Sequence, residues 1–311
     1  MDNQIAFIFP GQASQYPGMG RDLATNFPEA QEVFTKVSKI LGFSIEKFCF
    51  HGKAEDLQLT EITQPAILTV SIAAATVLTL RGIKPHFVAG HSLGEYSALV
   101  VAGALSLSDA VQTVRKRGKY MQEAVPVGDG AMAAILGLKI HEVNALCHDS
   151  AQGEVLTPAN LNSPGQIVIS GSSQAVQRAT ALASQWGAKR AILLPVSAPF
   201  HSPLMQPAQE KLEKDLNKID FSDLQVPLVN NVDAIEIRYK SEIANSLLRQ
   251  VCTPVRWSET IQFLVKKGVG RFVEVGPGRV LSGLVRQNDR SVKLFNVEDT
   301  ESLEKIVTAM G

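Results

Sequence analysis

Gly90-His91-Ser92-Leu93-Gly94-Glu95 is the stretch of this chain best suited to chemistry. The apolar residues Phe87 to Ala89 before it read as the end of a buried strand, and Glu95 to Ala102 after it reads as helix. Gly-x-Ser-x-Gly in that setting is the spacing of a nucleophile elbow, a sharp strand-to-helix turn that lifts a serine hydroxyl above a sheet edge. Such a turn crowds the neighbours of the serine, so Gly90 and Gly94 are expected to remove Cβ atoms that would clash. The helix start offers unpaired N–H groups to a developing oxyanion. A serine hydroxyl is a poor nucleophile until a base takes its proton. Of the six histidines, His91 adjoins the serine and is expected to point elsewhere. His51, His141 and His148 lie in polar segments, and His86 precedes the strand. His201 remains, held between Pro199 and Pro203 past an apolar strand, where the prolines restrict the backbone. Ser92 with His201 as base would support acyl transfer or hydrolysis.

Other elements must bring these groups together. Ile5 to Phe9 reads as a central strand ended by Pro10-Gly11, and the loop Gln12 to Gly20 follows its carboxyl end, where open α/β sheets collect ligands. Helices are expected at 28–41 and 64–81, with Pro65 in a first turn where proline is tolerated. After a strand at 86–90, the elbow helix should run through Leu105, and Ser108 or Asp109 should cap a helix reaching about Ala124. That helix carries Arg115, Lys116, Arg117 and Lys119, which by pattern alone read as a solvated basic face. Past the linker Pro126 to Gly130, the spacing predicts strand 131–137, helix 140–148, strands 154–160 and 167–171, helix 173–186 and strand 189–196. This β-α-β-β-α-β order is ferredoxin-like. The expected fold class is α/β, with a small subdomain at 128–196 inserted into a large domain made of 1–127 and 197–311. The large domain resumes with a helix at 204–217, strand 226–231, helices 241–250 and 257–267, and strand 271–275. A last helix, strand 292–297 and helix 300–310 complete it.

Composition narrows the possible functions. Lys+Arg and Asp+Glu both total 30, which argues against a nucleic-acid binder. Cys49, Cys147 and Cys252 are odd in number and far apart, so no disulfide framework or metal knuckle is expected. The N-terminus lacks the basic segment of a signal peptide. Ile67 to Leu80 is apolar but reads as too short for a membrane span and as a core helix. A cytoplasmic protein is expected.

Six motifs, in order, carry a resemblance. They are Phe9-Pro10-Gly11-Gln12, Gly90 to Glu95, Arg117-Gly118-x-x-Met121-Gln122, Asn160-x-Asn162-Ser163-Pro164-Gly165-Gln166, Phe200-His201-Ser202 and Glu274-Val275-Gly276-Pro277-Gly278. Together they resemble the malonyl-CoA:acyl carrier protein transacylases, stand-alone acyltransferases of dissociated fatty-acid synthesis. The resemblance implies an α/β-hydrolase-like core with a ferredoxin-like subdomain and the active site in the cleft between them. It implies that Ser92 is acylated, that His201 is its base, and that a backbone carbonyl at Gln250 orients the histidine. From sequence alone one would seek an acid among Asp109, Asp129 and Asp149, and none sits in a convincing setting. The backbone N–H groups of Gln12 and Leu93 would form the oxyanion hole. Arg117 would grip the malonyl carboxylate bidentately, a geometry lysine lacks. Phe200 would crowd an α-methyl branch, and Asn160 and Asn162 would contact substrate.

The resemblance further implies malonyl-CoA and holo-acyl carrier protein as substrates, no metal or redox cofactor, and a monomer. An acidic carrier protein calls for local basic surface, with Lys189, Arg190, Lys266, Lys267, Arg279 and Arg286 as candidates. A serine thioesterase would use the same elbow and base but needs no carboxylate clamp. A non-catalytic carrier-protein binding module would not need Ser92 and His201.

Overall fold

Both faces of the opening strand are apolar, and both are covered. In β1 (Gln4–Phe9), Phe7 and Phe9 enter one hydrophobic core while Ala6 and Ile8 enter another, as befits a parallel strand between helical layers. The computed structural model describes residues 4–196 and 198–310. Met1 to Asn3, read above for a leader, and Ser197, read as the resumption of the large domain, lie outside them.

After β1 come α1 (Arg21–Asn26), α2 (Pro28–Leu41), α3 (Ile45–His51), α4 (Thr60–Leu80), β2 (Phe87–Gly90), α5 (Gly94–Val101) and α6 (Leu107–Glu123). A second unit follows: β3 (Gly130–Leu136), α7 (Ile140–Ala151), β4 (Leu156–Ser163), β5 (Gln166–Ser172), α8 (Ser173–Leu182) and β6 (Arg190–Leu193). The chain then forms α9 (Gln206–Leu216), β7 (Leu228–Val229), β8 (Glu236–Ile237), α10 (Lys240–Gln250) and α11 (Trp257–Lys266). It closes with β9 (Val269–Val275), α12 (Val280–Asn288), β10 (Lys293–Val297) and α13 (Thr300–Met310).

The strands form two sheets. One is ordered β10-β9-β1-β2-β7-β8 and is parallel except for the β7–β8 pair. The other, ordered β4-β5-β3-β6, is antiparallel. Ala133 and Ile135 of β3 pack with α7 and α8, while Met132 and Ala134 join the core of the larger body. Register pairs Phe9 with Gly90, so the loop after β1 and the elbow after β2 leave the sheet side by side.

Several boundaries differ from the sequence reading, each for a local reason. Helix α4 begins at Thr60, so Pro65 lies inside it and not in its first turn. With 21 residues and a mean hydropathy of 1.6 over its most apolar 18, it is also long and apolar enough to cross a membrane. Its place is nevertheless inside the protein, where 89% of its most apolar window is buried. Burial, not shortness, makes it a core helix. The cap of α6 is Ser106, whose Oγ accepts from Asp109 N at 3.0 Å. Helix α5 stops at Val101, short of Leu105, and the strand expected at 226–231 is reduced to β7. Beyond β7, the side chains of Asn230 and Asn231 satisfy neighbouring backbone groups that a continuing ladder would otherwise pair.

Candidate active site

The elbow has the tightness its glycines imply. A Cβ on Gly90 would lie 1.9 Å from Gly94 C, and one on Gly94 would lie 2.0 Å from Phe9 O. Ser92 sits at φ +52°, a conformation that L-residues hold only when the surroundings over-determine it. Here they do. Asn231 Oδ1 accepts from Ser92 N at 2.7 Å, and Asn231 Nδ2 donates to Gly90 O at 2.6 Å. Gln250 Nε2 donates to Ser92 O at 3.0 Å.

Ser92 Oγ lies 2.8 Å from His201 Nε2. His201 Nδ1 is 2.8 Å from the backbone carbonyl of Gln250. A carbonyl can only accept, so the proton sits on Nδ1 and leaves Nε2 as the acceptor facing Ser92. Burial, reinforced by the Arg117 charge, holds the imidazole down at about 3. It is therefore neutral and ready to take a proton throughout the ordinary working range. The other histidines stand aside. His91 Nε2 contacts Asn162 Oδ1 at 2.9 Å, and its ring packs edge-on to Trp257. His51, His86, His141 and His148 are exposed.

Arg117 is not on a solvated face. It is 1% exposed, and its guanidinium lies 5.6 Å from the Tyr96 ring centroid. Nη2 donates to Ser92 Oγ at 3.1 Å and to Gln250 Oε1 at 2.9 Å, while Nη1 donates to Gln64 Oε1 at 2.9 Å. Nε is buried without a partner among the described residues. Among the described residues no carboxylate pairs directly with this cation. Glu95 lies one amide away, since Gln250 Nε2 donates to Glu95 Oε2 at 2.9 Å. Burial raises the Glu95 carboxyl to about 7, against the lowering effect of its hydrogen bonds and of Arg117.

The amides of Gln12 and Leu93 border the same cleft as Ser92, Arg117 and His201. Neither backbone N–H donates to a backbone or side-chain acceptor among the described residues. The cleft is otherwise lined by Met121, Met132, Leu194, Val196 and Phe200. Asn160 lines both this cavity and an adjoining one, whose wall includes Asn162, Leu281 and Leu284. Asn162 thus stands further out than Asn160, with its carbonyl oxygen facing His91. Lys189, Arg190, Lys266 and Arg286 are exposed, whereas Lys267 pairs with Glu236 and Arg279 with Glu298.

Sequence reasoning passed over four members of this constellation. Gln64, Glu95 and Asn231 carry no signature of their own, and the side chain of Gln250 was valued only for its carbonyl. The available signal was polarity out of place: an amide inside the apolar stretch of α4, a carboxylate opening an apolar helix, and an Asn pair ending a buried strand.

A serine held between a neutral imidazole and a guanidinium, beside two free amides at the carboxyl ends of parallel strands, defines a nucleophile of the acyl-transfer class. Comparison narrows the class. The model of a family described as "Acyl transferase domain" matches residues 6–308. The malonyl CoA-acyl carrier protein transacylase of Bacillus subtilis is 48% identical over 309 residues, covering 99% of this chain and 98% of its own. The solved transacylase of the same name from Coxiella burnetii superposes with a TM-score of 0.97 at 44% identity, covering 99% of this chain and 98% of that one. PlMCAT, a malonyl-transacylase solved in complex with the type II PKS acyl-carrier protein AntF, gives a TM-score of 0.97 at 44% identity, with coverage of 99% and 100%. This chain belongs to the acyl transferase domain family.

Proposed function

We propose that this chain transfers malonyl groups from malonyl-CoA to the phosphopantetheine thiol of an acyl carrier protein through a malonyl ester on Ser92, in the service of fatty-acid chain elongation. The observation that carries the reading is the position of Ser92 Oγ, 2.8 Å from His201 Nε2 and 3.1 Å from the buried Arg117 Nη2. A thioesterase would need the first contact but has no use for the second. In this reading residues 1–127 and 197–311 make an α/β-hydrolase-like domain and 128–196 a ferredoxin-like one. The β3-α7-β4-β5-α8-β6 order supports the latter.

His201 Nε2 takes the Ser92 proton as Oγ attacks the thioester carbonyl carbon. The Gln12 and Leu93 amides receive the oxyanion. The C–S bond then breaks, and the proton on Nε2 passes to the CoA sulfur. In the second half the carrier thiol gives its proton to His201 and attacks the ester carbon. The C–O bond breaks, and Ser92 Oγ recovers the proton. Atoms and charge balance in both halves, so the chemistry calls for no metal or redox cofactor. Arg117 binds the free malonyl carboxylate with its planar fork and thereby aims the thioester carbonyl at Oγ. Phe200, which lines the cleft, leaves little room for a branch at the malonyl α-carbon. Asn160 and Asn162 flank the path of the pantetheine arm. Arg286 on α12, whose Leu281 and Leu284 wall the outer cleft, offers basic surface to the carrier.

Arg117→Ala, assayed in parallel with malonyl-CoA and acetyl-CoA, tests the reading. Malonyl transfer should fall by ~100-fold or more, the worth of a buried charged contact, with acetyl transfer spared or improved. Equal losses on both substrates would refute the clamp.

A further inference from the structure

The side-chain amide of Gln250 has two unlike ends, and the site works only if they face the right way. Its Oε1 must meet the Arg117 donor, and its Nε2 must meet Ser92 O, Glu95 Oε2 and Asn231 Oδ1. Turned by half a rotation, the NH2 would oppose Nη2, donor against donor, and the amide oxygen would face three acceptors. Of those three acceptors only Glu95 is a carboxyl group, which accepts more strongly than an amide or a peptide carbonyl when it is ionised. Glu95 opens α5, directly after the elbow, and is 1% exposed. Its Oε2 also accepts from Asn231 N at 3.0 Å, and its Oε1 from Ser246 Oγ at 3.3 Å. The elbow helix, the turn after β7 and α10 therefore meet at this one carboxyl group.

We propose that Glu95 is a positioning residue: it fixes the orientation of the Gln250 amide and, through it, holds Arg117 in register with Ser92. The inference rests on the reading of Arg117 as the malonyl clamp. The arrangement answers a physical conflict. A buried guanidinium needs nearby negative charge, but a carboxylate paired directly with it would fill the fork meant for substrate. Interposing one amide keeps a carboxyl group close to the cation without placing it on the fork.

The test is transfer of malonyl and acetyl from their CoA thioesters to holo-acyl carrier protein by Glu95→Ala and Glu95→Gln. For Glu95→Ala the ratio of malonyl to acetyl kcat/KM should fall by ~10-fold or more, the equivalent of one charge-assisted hydrogen bond, with the malonyl KM rising. Glu95→Gln retains a carbonyl that can accept from Gln250 and Asn231, and should bring the ratio back to within about threefold of the parent. A Glu95→Ala enzyme slowed equally on both substrates would overturn the proposal. Should Glu95→Ala fail to fold, Gln250→Met keeps the backbone carbonyl that holds His201 while removing the amide. It should lower the same ratio, and an unchanged ratio there overturns the proposal as well. The two readings fail separately: a selective loss in Arg117→Ala with none in the Glu95 and Gln250 variants sinks only the positioning role.

Discussion

His201→Asn should change how the stability of this protein responds to pH, and the expected size follows from two buried groups of opposite slope. His201 is held at about 3 against an ordinary 6.5, chiefly by burial. Between those values the unfolded chain binds a proton that the folded chain refuses. Stability contributed by keeping this imidazole neutral is therefore complete above pH 6.5 and is lost as pH falls towards 3. The loss comes to about 2 kcal/mol at pH 5 and about 3 kcal/mol at pH 4. Glu95 runs the other way. Raised by burial from 4.5 to about 7, it binds its proton in the folded state while the unfolded state has released it, so its contribution declines as pH rises from 4.5 to 7. The two largely offset each other between pH 4.5 and 6.5. Replacing His201 removes one slope and leaves the other. Relative to the parent, the variant should gain about 2 kcal/mol on going from pH 7.5 to pH 5. Lost hydrogen bonds to Ser92 and Gln250 add only a constant offset, and His91, also held low by burial, is common to both proteins. Urea unfolding followed by tryptophan fluorescence, from the buried Trp257 and the half-buried Trp186, measures the difference at each pH. A parent-minus-variant difference that stays flat from pH 5 to 7.5 would refute the claim that His201 is held neutral.

Two further changes probe packing around the cleft. Phe200→Ser should raise methylmalonyl transfer relative to malonyl by roughly tenfold, since one methyl group in a pocket is worth about 1–3 kcal/mol. An unmoved ratio in competition assays would mean that another wall excludes the branch. Gly118→Ala should lower both the thermal midpoint and malonyl transfer, because a Cβ there would lie 2.5 Å from Thr60 O on α4. Arg117 and Gln64 sit on those two helices, so parent-like activity would show that their separation does not set the clamp.

The elements with strong local patterning were legible in the sequence, and so were the groups whose role is fixed by backbone geometry. The elbow could be read because Gly-x-Ser-x-Gly is a local spacing and Gly90 is required by contacts with Gly94 and Glu95, although Gly94 itself is required by Phe9 O on the neighbouring strand. The second sheet could be read because β3 to β6 alternate with two amphipathic helices in a short span. His201 emerged because the other histidines sit in polar or unsuitable segments. Arg117 was hidden, since its neighbours Arg115, Lys116 and Lys119 made the helix look like a solvated face. The charge pattern alone did not distinguish it; the family resemblance singled it out, and the fold turns it inward against Tyr96 and Gln64. Glu95 and Asn231 were illegible for a related reason: the partners of Glu95, and the elbow groups that Asn231 holds, lie more than a hundred residues away, and nothing local records such pairings. The loss of β7 beyond Val229 belongs here too, because Asn231 serves the elbow and Asn230 the turn after the strand, and neither continues the ladder.

The choice of a carbonyl in place of a carboxylate behind His201 follows from the charge of the substrate this site is read to take. His201 Nε2 and Arg117 Nη2 both lie within 3.1 Å of Ser92 Oγ, so any group behind the imidazole is near the clamp. An anion there would repel the substrate carboxylate, by on the order of 2 kcal/mol for a separation of about 8 Å at an effective dielectric constant of about 20. A carboxylate at Nδ1 would make the imidazole a stronger base and would also oppose binding of the malonyl group's single free carboxylate. The Gln250 carbonyl fixes the same tautomer at 2.8 Å without net charge. The same residue's side chain holds Glu95 one amide behind Arg117. Gln250 thus orients the base with its backbone and screens the carboxylate with its side chain. On the proposed reading, that double duty ties catalysis and selectivity to one position on α10 and accounts for an amide, rather than an acid, standing there.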